Sequence, residues 1–461
     1  MTQPKRPNIL FIMPDQLRAD FLGAYDAAFI DTPHIDSLCE HGVLYSNCCS
    51  PHPLCVPARV SLMVGMDALR TGVTRNGLFL RSDYGTCGVR TWPEILVENG
   101  YATAAIGKMH FTPFDARLGF EVRVIAEDKM AVNLRDDYAD YLAEHGLRRL
   151  RGQEHEGYFE TKGAIVSPIP WEHSVDHYVG RETCRYITEY DDERPFALMV
   201  GFPGPHPPFD PCPEFVSRFS PDDMPDPIPP SDCGAPEMRR RNLDANAYWH
   251  EHDYSDWTVA QKKRLRAHYA ALVSQIDHEV GCILKALRAK GELENTVILF
   301  SADHGELMGD HGMIGKHAFF EGACRVPMLA WLPWAEGQTT RDDLVTLTDV
   351  TATILGLAGA PVPEGMDSRP LPGLGLAGDA PRERVFGALT DIWMVQDRRH
   401  RLIKCATGEA MLYDDHRDPH QQHNLIGDPA HAVLRERLDG ELTAHVMDTM
   451  SQAIFPRLNE R

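Results

Sequence analysis

The stretch Leu54-Cys55-Val56-Pro57-Ala58-Arg59 contains Cys-x-Pro-x-Arg, the recognition core on which a cysteine is oxidised to formylglycine. A formylglycine hydrate is a nucleophile that no ordinary side chain supplies. Two carboxylate-bearing segments, Pro14-Asp15-Gln16 near the start and Ala302-Asp303-His304-Gly305-Glu306 far downstream, offer oxygen and nitrogen donors suited to a divalent cation. A helix is expected to begin at Pro57, whose fixed φ suits a first turn, and to continue over Arg59 to Ala68 with one breaker, Gly65, so that Cys55 stands just before its N-terminus. Backbone N–H groups at such a helix start favour a sulfate or phosphate.

These segments are far apart in the chain, so the fold must bring them together. Short apolar runs alternate with helical patterns, which predicts an α/β fold around a mixed, mostly parallel sheet flanked by helices. Strands are expected at Asn8 to Met13, Ala102 to Ile106, Phe196 to Phe202 and Thr296 to Ser301. Each ends just before a polar cluster: Asp15, then Lys108 and His110, then His206, then Asp303 and His304. The carboxyl ends of parallel strands line the ligand crevice of such sheets, so the clusters are expected to converge there. A long helix is predicted after Thr258, whose spacing to Gln261 is that of a capping box. Leu265, Tyr269, Leu272, Ile276, Val280, Ile283 and Leu287 form its apolar face, and Gly291 its end.

The proline-rich stretch from 203 to 236 is expected to be an irregular excursion over the active-site face. Past about Pro361 the sequence turns Pro/Gly-rich and then strand-like at Arg401 to Cys405 and Ala410 to Tyr413, around a Thr-Gly turn. The expected organisation is a catalytic domain over residues 1–370 and a smaller subdomain with an antiparallel sheet over 371–461.

Composition excludes several function classes. Apolar content of 43 % and charged content of 25 % over 461 residues supply a large core and rule out a disordered chain. The longest apolar runs fall far short of the roughly 20 residues of a membrane span, and a net charge of −21 argues against nucleic acid or an anionic membrane as partner. An anionic substrate then needs a locally basic pocket. Eleven cysteines at irregular spacings read as reduced thiols. The start, Met1 to Pro7, runs into an apolar stretch too short for a signal-peptide core, so cytoplasmic residence is expected.

Together the Cys55, Asp15 and Asp303 segments resemble the sulfatase family of the alkaline phosphatase superfamily. Further segments match in order: Gly107-Lys108-Met109-His110, His206 between two prolines, Lys316 after the run Gly309 to Gly315, and Asn76 in Arg75-Asn76-Gly77. The resemblance extends to Glu321-Gly-Ala-Cys-Arg-Val-Pro and the late Leu412-Tyr-Asp and Asn424-Leu. It implies an alkaline-phosphatase-like fold and one divalent cation, Ca2+ or Mn2+, held by Asp15, Gln16, Asp303, His304 and the modified Cys55. Gln16 stands where many sulfatases have a second acidic residue, and this Gln/His variation is similar to choline sulfatases and phosphonate monoester hydrolases. Ala58 replaces the usual Ser or Thr.

The resemblance also implies roles. Hydrated formylglycine 55 attacks sulfur; Arg59, Lys108 and Lys316 stabilise charge; His206, alone or with Lys316, protonates the departing alcohol; His110 takes the proton that releases sulfate; Asn76 contacts substrate. The implied partners are a small anionic ester and a formylglycine-generating enzyme, with oligomerisation into homo-oligomers left open. Lys108 with His110 favours sulfate esters over the second reading, a phosphonate monoester or phosphodiester hydrolase. A third reading is a non-catalytic anion- or metal-binding relative; Cys48, Cys49, His52 and Cys55 suggest a soft-metal site of that kind, although their spacing is not that of zinc sites. Asp303 and Glu306 have the simpler alternative of capping a helix.

Overall fold

A computed structural model describes residues 6–230 and 235–454; the chain start up to residue 5 and residues 231–234 of the proline-rich stretch lie outside the described residues. Fourteen strands occur in them: β1 Asn8–Ile12, β2 Gly42–Tyr45, β3 Cys48–Cys49, β4 Ala102–Gly107, β5 Val122–Ile125, β6 Phe196–Gly201 and β7 Thr296–Ser301, then β8 Met328–Trp331, β9 Gln338–Arg341, β10 Val345–Thr346, β11 Val385–Ala388, β12 Ile392–Gln396, β13 His400–Cys405 and β14 Ala410–Asp414. Eight form one sheet in the order β5-β4-β6-β1-β7-β8-β2-β9. All its pairings are parallel except those of β8, which runs against both neighbours.

The four strands expected from the sequence are β4, β6, β1 and β7, contiguous at the middle of this sheet. Every residue in them is buried, as befits strands covered by helices on both faces, and this explains why they read as unbroken apolar runs. Their carboxyl ends lie side by side, so the polar residues that follow are neighbours by construction.

The helix Val259–Lys290 forms as expected. Thr258 and Gln261 make the reciprocal capping box, and Gly291 closes the helix at φ 74°. The predicted apolar face is buried along its length. At Cys55 the structure moves the boundary: the helix is Cys55–Val64, with Leu54 as N-cap, so Cys55 is its first residue and does not precede it. Pro57 falls in the third position, where its missing N–H is still harmless because the first turn has no intrahelical acceptors. The helix stops at Gly65, in the left-handed conformation, and a separate turn of helix, Ala68–Thr71, begins under an Asp67 cap.

The smaller sheet is the meander β11-β12-β13-β14, wholly antiparallel. Leu438 and Leu442 of the helix Ala432–Ser451 cover one face with Val395, Leu402 and Leu412. The other face joins a cluster with Phe319, Phe320 and Cys324, so this sheet buttresses the segment just after Lys316. No described helix is long and apolar enough to cross a membrane, and every described cysteine is a free thiol.

Candidate active site

The turn after β1 delivers Asp15. Its amide donates to the carbonyls of Phe202 (2.9 Å) and Gly204 (3.1 Å), tying it to the loop that carries His206. Gln16 follows at φ 72°, with its own amide donating to Asp303 Oδ1 at 2.9 Å. At the end of β4, Gly107 adopts φ 94°, and a Cβ there would meet the Gly201 carbonyl at 2.1 Å. Glycine is what lets the ends of β4 and β6 approach this closely. His110 is then held at φ 58° by Glu127, whose carboxylate accepts its amide at 3.0 Å.

Asp303 and His304 leave the end of β7 without entering a helix, so the capping alternative does not hold. Asp303 Oδ1 accepts from the amides of Gln16 and His304, while Oδ2 accepts from Arg59 Nε at 2.9 Å. His304 donates through Nδ1 to the Gly305 carbonyl at 3.0 Å, which turns the Nε2 lone pair toward Cys55 Sγ, 3.2 Å away. Arg59, 1 % exposed, bridges the two carboxylates, reaching Asp15 Oδ2 at 3.2 Å, and fixes the Lys108 carbonyl at 2.7 Å. Lys108 Nζ lies 2.6 Å from Asp15 Oδ2.

One atom each from Asp15, Cys55, Asp303 and His304 lies within 4.8 Å of the other three. Asp15 Oδ1 is buried without a hydrogen-bond partner among the described residues and faces His304 Nε2 at 3.9 Å. A buried carboxylate oxygen left unpaired is costly, and a cation between these donors would satisfy it. The donor set therefore fits a divalent metal. Gln16 sits at its edge: the side-chain amide donates to Glu306 and its oxygen accepts from Lys316.

The electrostatics are strongly shifted. Burial and Asp15 push the Cys55 thiol up, but Lys316, His304 and contact with His110 outweigh them and hold it well below the usual thiol range. Asp15 is likewise held well below its ordinary value: against burial stand Lys108, His206, Arg59 and His304. Burial alone would lower Lys108 and His110; Asp128 and Asp15 raise the former, and Cys55 raises the latter. Such shifts cluster at reactive sites.

The structure brings together Cys55, Arg59, Lys108, His110, His206 and Lys316 with the four-donor group. Asn76 is at the rim, where its Oδ1 accepts from the Val56 amide at 3.0 Å. That bond and the absent N–H of Pro57 leave the helix start with less to offer an anion than the sequence suggested. The soft-metal grouping does not assemble: His52 spends Nδ1 on the Ala388 carbonyl and Nε2 on the Ala68 amide. Three residues that matter escaped the sequence reading. Asp128 Oδ2 is 2.5 Å from Lys108 Nζ and 3.8 Å from His206 Nε2. Glu127 positions His110, and His250 stands near His206 and Lys316, its pKa pushed down to about 3 chiefly by burial. None sits in a recognisable local pattern.

A hydrolase of alkaline-phosphatase-like fold, with an anion site at the carboxyl edge of its sheet, is the class these features define. The chain belongs to the sulfatase family of sulfuric ester hydrolases: the family described as "Sulfatase" matches residues 7–360, and "N-sulphoglucosamine sulphohydrolase, C-terminal" matches 309–448. An "Arylsulfatase" of Clostridium perfringens (strain 13 / Type A) is 27 % identical across 94 % of this chain and 92 % of its own length. A "Choline-sulfatase" of Rhizobium meliloti (strain 1021) is 28 % identical across 92 % and 83 %. Among solved structures, the phosphonate monoester hydrolase of Agrobacterium radiobacter superposes with a TM-score of 0.80 at 23 % identity, covering 96 % of each chain.

Proposed function

We propose that the protein hydrolyses a small organic sulfate monoester, with Cys55 oxidised to formylglycine as the nucleophile. The observation that carries this reading is the position of Cys55 Sγ within the Asp15, Asp303 and His304 donor group, ringed by Arg59, Lys108 and Lys316. Asp15, Asp303 and His304, with Gln16 and the side chain at 55, would hold a divalent cation, and the imidazole donor favours Mn2+ over Ca2+. Such a cation supplies charge stabilisation for the ester oxygens and the nucleophile. Because Cys55 is only 1 % exposed, a formylglycine-generating enzyme would have to act before the chain closes over it.

The remaining work falls to side chains. Lys108, Lys316 and Arg59 neutralise the charge of the sulfuryl group and the carboxylates around it. His206 donates Nδ1–H to the Pro207 carbonyl at 2.7 Å, which presents Nε2 for handing a proton to the departing alcohol. His110, in contact with the side chain at 55, is placed to remove a proton there as sulfate leaves. The alcohol would occupy the pocket beside Lys316 bounded by Arg241, Asn242, Asn246, His317, Asp391 and Thr407.

Assays of modified protein on sulfate, phosphate and phosphonate esters test the reading, together with Asp303→Asn. Sulfate monoesters should give the highest kcat/KM, and Asp303→Asn should lose metal and activity together. Phosphonate monoesters exceeding every sulfate ester by orders of magnitude would replace the reading with that activity.

A further inference from the structure

The helix Val259–Lys290 carries a second set of ligating side chains. His278, Glu279 and Cys282 begin nine residues, roughly 14 Å at 1.5 Å per residue, beyond Tyr269, the residue that touches the Asp15–Gln16 turn. His278 and Cys282 are one turn apart on one face, with Nε2 and Sγ 3.8 Å from each other. Glu279 lies beside them, and one atom from each of the three falls within 4.8 Å of the other two.

The surroundings fix this group. Glu279 is buried against the helix Val175–Glu189 at Gly180, where a Cβ would stand 1.9 Å from its carboxylate. Only glycine leaves room for the carboxylate there. Its Oε1 accepts from His177 Nδ1 at 2.9 Å, the kind of outer contact that orients a ligand. Trp171 packs against both imidazoles, with ring centroids 5.1 Å from His177 and 5.6 Å from His278. His278 is exposed and Cys282 half-buried, so an ion in solution can reach them.

We propose that His278, Glu279 and Cys282 form a binding site for a Zn2+-class cation, separate from the catalytic centre and not needed for ester hydrolysis. One sulfur, one imidazole and one carboxylate are a zinc-type set, with water as fourth ligand. Zinc bonds of about 2.0–2.3 Å place tetrahedral ligand atoms roughly 3.3–3.8 Å apart. The His278–Cys282 separation already meets that, and rotation of these two accessible side chains closes the remainder toward the fixed Glu279. Binding converts the Cys282 thiol to a metal-bound thiolate and releases one proton to solvent, with no change of oxidation state.

The test uses the full chain with Cys55→Ala, which removes the sulfur from the catalytic donor group. Titration with Co2+ should produce a near-ultraviolet thiolate-to-metal absorption of one thiolate-bound cobalt per chain, complete by two equivalents because the catalytic donors take up cobalt without a sulfur signal. Adding Cys282→Ser should abolish it, His278→Ala should weaken binding at least tenfold, and excess Zn2+ should displace the cobalt. With Cys55 intact, Cys282→Ser should leave turnover unchanged. Absence of the band in the Cys55→Ala protein, its survival in the Cys282→Ser variant, or indifference to His278→Ala would each overturn the site.

Discussion

Asp128 shows how one carboxylate can serve two side chains. Its Oδ2 touches Lys108 and faces His206, while Oδ1 accepts from the Met130 amide at 2.8 Å. The carboxyl is held far below its usual range, His206 and Lys108 outweighing burial, which favours its anionic form. Lys108 has a second carboxylate in direct contact, Asp15; among the described residues, Asp128 is the one carboxylate within 4 Å of His206 Nε2. Asp128→Asn should therefore weaken proton delivery to the leaving group more than charge neutralisation on the sulfuryl oxygens. We expect kcat to fall about 10- to 100-fold for alkyl sulfates, a part of the roughly 100- to 10,000-fold that a general acid contributes, and far less for esters of acidic phenols. Measuring kcat across a series of leaving groups checks this; an equal loss for all would place the effect at Lys108. Asp128 was illegible in the sequence because it lies in a long irregular segment with no motif, and only the folded chain sets it opposite Lys108.

At the scale of elements, the long helix is a strut for the turn that supplies Asp15 and Gln16. Tyr269 OH donates to the Gln16 carbonyl at 2.6 Å and accepts from the Arg18 amide at 2.8 Å, fully buried. Tyr269→Phe would keep the ring packed against Phe21 and leave two buried backbone groups without partners. The expected cost is about 1–3 kcal/mol of stability, with weaker metal retention because Asp15 and the left-handed Gln16 lose their brace. Thermal melts and metal dialysis of the variant measure both; unchanged metal affinity in a destabilised protein would confine the phenol to a structural role. The turn before Lys316 is braced in a similar way, with Asp310 paired to Arg18 at 2.7 Å and Arg266 at 2.5 Å. The helix and the four central strands were legible because caps, apolar period and burial on both faces all pointed one way. Such long-range braces were not, since Tyr269 reads as one more apolar position until its hydroxyl finds the chain some 250 residues away.

Across the whole molecule, an acidic chain of net charge −21 gathers Arg59, Lys108, Lys316 and several histidines at one edge of its sheet. The parallel order β4-β6-β1-β7 does this gathering, and it was legible because each strand's apolar run stops just short of its polar residues. The helix start was placed at Pro57 and lies two residues earlier, at Cys55, as proline is tolerated anywhere in a first turn. The central claim is that Cys55 acts as formylglycine, and the most direct measurement is peptide mass spectrometry of the Cys55 peptide alongside turnover, in protein made with and without a formylglycine-generating enzyme. The account predicts activity in proportion to the aldehyde-bearing fraction, and none in Cys55→Ala. Full turnover by protein whose Cys55 remains an unmodified thiol would contradict it.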